Sequence, residues 1–152
     1  MAQDTVEGPA QTTLFLTSQF YVTLENGIEG MFTDVGGLVI EVDTTEIRFA
    51  DNKGRVTLQN RPGLTKYGEI TLKRQVSDDK KFFEWVKKIR DGKIERTGGS
   101  VTITDHALNI VGSWSFKNAW PSKWAVSDPD ATSNDPMTED ITLQIEYLER
   151  TK

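Results

Sequence analysis

Residues 61–92, RPGLTKYGEITLKRQVSDDKKFFEWVKKIRDG, constrain the fold most, because they hold the one convincing helical pattern among alternating strands. In the strand half, Ile70 and Leu72 point to one face, while Tyr67, Glu69, Thr71 and Lys73 point to the other. Pro62-Gly63 predicts a turn before this strand. Ser77 predicts an N-cap, with Asp78 and Asp79 complementing the positive end of the helix dipole. Phe82, Phe83, Trp85, Val86 and Ile89 recur at helical spacing, and Gly92 supplies a stop. Phe82, Trp85, Val86 and Ile89 form the predicted core face. A lone helix carrying three aromatics must cover something, and the rest of the chain offers only sheets.

Upstream, residues 1–13 contain Gly8-Pro9 and small polar residues and read as a flexible arm before a single domain, 14–152. A strand is expected over Gln19–Glu25, with Phe20, Val22 and Leu24 on one face, and Asn26-Gly27 as its turn. In residues 31–49, Leu38, Ile40 and Val42 share a parity that Ile47 and Phe49 break, which predicts a bulge near Asp43–Glu46. The polar run Ala50–Asn60 reads as a projecting loop or hairpin tip. Downstream, Gly98-Gly99 reads as the end of a connection. A hairpin follows, with strands at Val101–Thr104 and Leu108–Lys117 around Asp105-His106, and the chain bends at Pro121. One last strand spans Glu139–Glu149, with Ile141, Leu143, Ile145 and Tyr147 on one face. The pattern amounts to about seven strands and one helix, mainly β, in a two-sheet sandwich or split barrel.

Composition removes several classes of function. There are no cysteines, so neither disulfides nor thiolate chemistry enter. Net charge is −5, which argues against gripping nucleic acid through bulk charge, and no sequence-specific binding of it is expected. No apolar run approaches the roughly 20 residues of a membrane span. The opening MAQDTVEGPAQTT is neither basic nor apolar, so no signal peptide is read there and assembly in the cytoplasm is expected.

Catalytic patterns are weak. His106 is the sole histidine and sits in a polar turn without a nucleophile motif. Glu41 and Asp43 share a strand face at about 7 Å, near the spacing of glycosidase carboxylates, but nothing around them suggests a sugar cleft. Asp128, Asp130, Thr132, Asn134 and Glu139 fit positions of a calcium-loop register. Ser133 stands where that loop needs glycine, so no metal or other cofactor is expected. Trp85, Trp114, Trp120 and Trp124 suit a core better than a ligand platform.

The segments FYVTLENGIEGMFTDVGGLVIEVD, RPGLTKYGEITLKR, FFEWV and WSFKNAWPSKW, in that order, resemble the bacteriophage tail-tube family. The resemblance is strongest to the inner-tube proteins of phage-like contractile injection systems, relatives of the type VI secretion tube protein. It implies a β-sandwich or split barrel with one flanking helix, and a structural role rather than an enzymatic one. It further implies hexameric rings stacked into a hollow tube, a surrounding sheath, and a baseplate or tube initiator. Cargo effector or DNA would occupy the lumen. On that reading Glu41, Asp43, Tyr67, Glu69, Thr71 and Lys73 are candidate lumen-facing residues. Glu46, Arg48, Asp51, Asn52, Lys53 and Arg55, with the N-terminal arm, are candidates for ring-to-ring stacking. The competing reading from the residues alone is a monomeric ligand- or carbohydrate-binding β-sandwich. A hydrolase using Glu41 and Asp43 stands third.

Overall fold

The computed structural model describes residues 19–127 and 136–152. The predicted arm at residues 1–13 and most of the calcium-like register, Asp128 to Asn134, lie outside the described residues. Strand β1 (Gln19–Leu24) turns at Asn26-Gly27 into β2 (Glu29–Phe32), which Thr33 joins to β3 (Asp34–Gly36). A long hairpin, β4 (Ile40–Ala50) and β5 (Val56–Tyr67), leads into β6 (Ile70–Gln75) and helix α1 (Lys81–Arg90). Then come β7 (Thr97–Thr104), β8 (Ile110–Val126), β9 (Thr138–Gln144) and β10 (Tyr147–Arg150).

The sheet order is β2-β1-β7-β8-β9-β6-β3, with β10 also on β8. Because β2 and β3 are consecutive, the chain itself links the two ends of that order. Thr33 seals the junction, its amide donating to the Lys73 carbonyl at 2.9 Å. Two layers thus share the 17-residue β8, as a split barrel requires. The shared core holds Val22, Leu24, Phe32, Ile70, Leu72, Val101, Phe116, Ile141 and Leu143. Phe82 and Trp85 of α1 close it from one side, with the Phe82 ring edge-on to Phe32 at 5.6 Å between centroids.

Several local expectations shift for physical reasons. The helix begins at Lys81 rather than just after Ser77, because the Asp79 carboxylate accepts from the Lys81 amide and Ser77 Oγ only from Asp79. Pro62-Gly63 lies inside β5. Val42 pairs with Thr65 but Thr44 with Pro62, so the extra residue of the bulge sits on β5, where a proline without an N–H is tolerated. The predicted tip Ala50–Asn60 narrows to Asp51–Arg55, since Val56 onward is paired strand. Gly98 and Gly99 lie within β7; a Cβ on Gly99 would meet the Thr23 carbonyl at 2.6 Å. β8 passes Pro121 as strand, with a register shift between Pro121 and Lys123. The single last strand breaks at Ile145-Glu146, which turns Leu148 inward in place of Tyr147.

Candidate assembly surfaces

The β4–β5 ribbon is the outer part of one hairpin whose base, β3–β6, belongs to the barrel. The two parts separate at Gly37, where φ is +78° and a Cβ would lie 1.6 Å from the Glu69 carbonyl oxygen. Beyond that break the ribbon leaves the core. Ile40, Val42, Phe49, Val56, Leu58 and Leu64 are all exposed.

Cross-strand pairs share a face, so the register sorts these side chains. Ala50 with Val56, and Arg48 with Leu58, lie on one face; Phe49 with Thr57, and Ile47 with Gln59, lie on the other. Both faces of the ribbon are therefore partly apolar and neither is covered within the chain. This explains why Ile47 and Phe49 break the parity of Ile40 and Val42 without the strand changing faces.

Of the six stacking candidates, Asp51 builds the tip itself. Its Oδ1 accepts from the amides of Lys53 at 2.9 Å and Arg55 at 2.8 Å, an Asx-type closure. Asn52, Lys53 and Arg55 sit exposed around it. Glu46 and Arg48 pair with each other at 3.4 Å on the Leu58 face.

The six lumen candidates divide between two surfaces. Glu69, Thr71 and Lys73 are exposed, and Thr71 and Lys73 stand beside Thr142 and Asp140 of β9 on the outer wall of the barrel. Glu41 and Asp43 lie on the ribbon, where Asp43 accepts from Lys66 at 3.0 Å. That contact and the neighbouring Glu41 charge raise the Lys66 pKa above the usual lysine value. Tyr67 does not share a surface with Glu69, Thr71 and Lys73. It packs against the core and Tyr147, ring centroids 5.9 Å apart, because the Gly68-Glu69 break ends the alternation that the sequence suggests. In the helix, Phe82 and Trp85 are buried, and Val86 and Ile89 are half-buried.

The residues weighed for chemistry are scattered. His106 is exposed in a turn that Asp105 closes by accepting from the Ala107 and Asn109 amides, both at 2.9 Å. Those bonds hold the Asp105 carboxyl below the usual carboxylate pKa. Glu139 is buried against Arg74 and Trp124. Among the described residues no cluster of three or more His, Cys, Asp or Glu is placed to hold a metal ion. Trp85 is fully buried and donates to the Glu95 carbonyl at 3.0 Å, while Trp114 and Trp124 pack on the core.

A barrel with an uncovered ribbon is the shape of a subunit, and the family comparison agrees. The model described as T4-like virus tail tube protein gp19 matches residues 16–149. The chain belongs to this tail-tube family. Tail-tube likeness extends to solved structures. A chain in the cryo-EM structure of the anti-feeding prophage cap (AFP tube terminating cap) is 28% identical over 99% of both chains, with a TM-score of 0.80. A chain in the extended PVC sheath–tube complex of an extracellular contractile injection system is 27% identical over 88% of each, with a TM-score of 0.74. Hcp1 from Flavobacterium johnsoniae, 20% identical over 88% of this chain and 95% of its own, shares the tail-tube fold at a TM-score of 0.54. No curated protein sequence matches the chain.

Proposed function

We propose that this tail-tube protein, with residues 14–152 as one unit behind an arm at 1–13, is the inner-tube subunit of a contractile injection system or phage tail. Six copies close a ring, and rings stack into a conduit inside a sheath, starting from a baseplate or tube initiator. Cargo effector or DNA passes through the lumen. The particle assembles in the cytoplasm and delivers without catalysis by this subunit. The observation that carries this reading is the Ile40–Tyr67 ribbon, which exposes apolar side chains on both faces. A two-stranded hairpin is at best marginally stable alone, and an exposed apolar surface of this kind marks an interaction site. Neighbouring subunits supply the missing cover.

The polar wall of Glu69, Thr71 and Lys73 suits a hydrophilic lumen, with Glu41 and Asp43 continuing it along the ribbon. Glu46, Arg48, Asn52, Lys53 and Arg55 meet the next ring. The ligand-binding reading has little support from Trp85, which is buried, or from Trp114 and Trp124, which pack on the core. Electron microscopy of the purified chain tests the proposal. Hollow rings or tubes are expected; uniform monomers under all assembly conditions would overturn it.

A further inference from the structure

The stacking role proposed for the ribbon requires a receptor, and the barrel carries a groove suited to it. At the far end of β6, Val76, Asp79, Lys80, Phe83, Trp124 and Glu139 are among the residues lining a groove of about 320 Å³. Met137 adjoins Val76 in the backbone, its carbonyl accepting from the Val76 amide at 2.9 Å. Phe83 points outward from α1, 40% exposed, and its ring centroid lies 5.0 Å from that of Trp124. Phe83 is thus the helix aromatic that the chain's own core does not use.

We infer that this groove receives the β4–β5 ribbon tip of a second copy of the chain. Topology gives the direction. The ribbon leaves the barrel before Ile70, at the start of β6, and the groove opens after Gln75, at its end. Projection and socket therefore sit at opposite ends of the same strand, the head-to-tail arrangement that a repeating heterologous contact needs. Reach is sufficient. The 11 residues of β4 extend about 36 Å, against about 20 Å for the six of β6. Chemistry matches as well. The Val56–Leu58 face, with those residues 65% and 58% exposed, brings apolar side chains flanked by Glu46 and Arg48. The lining answers with Lys80, its one cation, beside the Val76–Phe83 surface, while Asp79 and Glu139 are held by Arg74.

The absence of cysteine makes the contact testable by cross-linking. Subunits carrying Leu58→Cys and subunits carrying Phe83→Cys are co-assembled and treated with a short bismaleimide. A covalent dimer that forms in the mixture and in neither single variant is expected. Val76→Asp is expected to leave folded subunits that do not elongate into tubes. The groove is overturned if Val76→Asp tubes reach normal length, or if intact mixed tubes give no dimer. Because the inference rests on the ribbon's stacking role, Leu58→Asp separates the two. Tubes lost with Leu58→Asp but kept with Val76→Asp overturn the groove alone, whereas tubes kept with Leu58→Asp overturn the stacking role and the groove together.

Discussion

Arg74 of β6 and Glu139 of β9 are direct cross-strand partners whose side chains meet inside the barrel, Nε donating to the Glu139 carboxylate. Both are buried. The Arg74 guanidinium lies over the rings of Phe32 and Phe82, at 5.1 and 5.3 Å from their centroids. Its Nη1 also approaches Asp79, at 3.8 Å, and the Trp124 indole donates to the other Glu139 oxygen at 3.2 Å. One ion pair therefore ties both layers to the segment that starts the helix.

Breaking this pair from one side leaves a buried charge without its partner. Glu139→Gln is expected to cost about 3–5 kcal/mol, and replacing both residues with apolar ones of similar volume to recover much of it. Denaturant midpoints of Glu139→Gln and of the double apolar variant measure the loss and the recovery.

Trp85→Ala removes the larger of the helix's two buried side chains and its bond to the Glu95 carbonyl. A loss of about 3–5 kcal/mol is expected, as for other buried aromatic truncations, read as a lower denaturant midpoint. Phe83→Ala, on the outward side, is expected to change the midpoint by less than about 1 kcal/mol. A large loss at Phe83 would place it in the subunit's own core.

Gly37→Ala forces a side chain into a left-handed backbone position and against the Glu69 carbonyl. The conformational cost alone is about 1–2 kcal/mol, and the steric conflict adds to it by displacing the ribbon from the barrel. Lower thermal stability together with poor tube formation is expected. Normal tubes would show that the ribbon's exit angle is unimportant.

Asp105 gives a pH-dependent signature. Its carboxyl is held below the ordinary value by the Asn109 amide first, with the Asn109 side chain and Ala107 amide adding to it. A lowered folded-state pKa stabilises the fold fully above the unfolded carboxylate value and loses that contribution as pH falls through the folded value. Asp105→Asn is therefore expected to lower stability at neutral pH and to flatten the acid limb of the stability curve. Parallel curves for the two proteins from pH 7 to pH 2 would contradict the turn's role.

What was legible in the sequence follows from what the single subunit buries. Phe20, Val22 and Leu24, the Ile70–Leu72 alternation and the helical aromatics announce themselves because one face of each element meets the core. The ribbon was obscure for the opposite reason. With neither face covered inside the chain, its apolar residues obey no single parity, and Ala50–Asn60 reads as loop although half of it is paired strand. Arg74 and Glu139 carry a quieter signal. Arg74 continues the inward parity of Ile70 and Leu72, and Glu139 that of Ile141 and Leu143. Opposite charges at inward positions of two strands are a readable sign of a buried pair. Tyr67 leaves the alternation of Glu69, Thr71 and Lys73 because the Gly68-Glu69 break interrupts it, and nothing in the residue pattern marks that break.

The central claim is that the subunit is completed by its neighbours through the ribbon. Electron microscopy comparing the natural chain with a variant lacking Asp51–Arg55 tests it most directly. Long hollow tubes from the natural chain, and folded subunits or rings without tubes from the variant, are the predicted result. Tubes of equal length from both would contradict it.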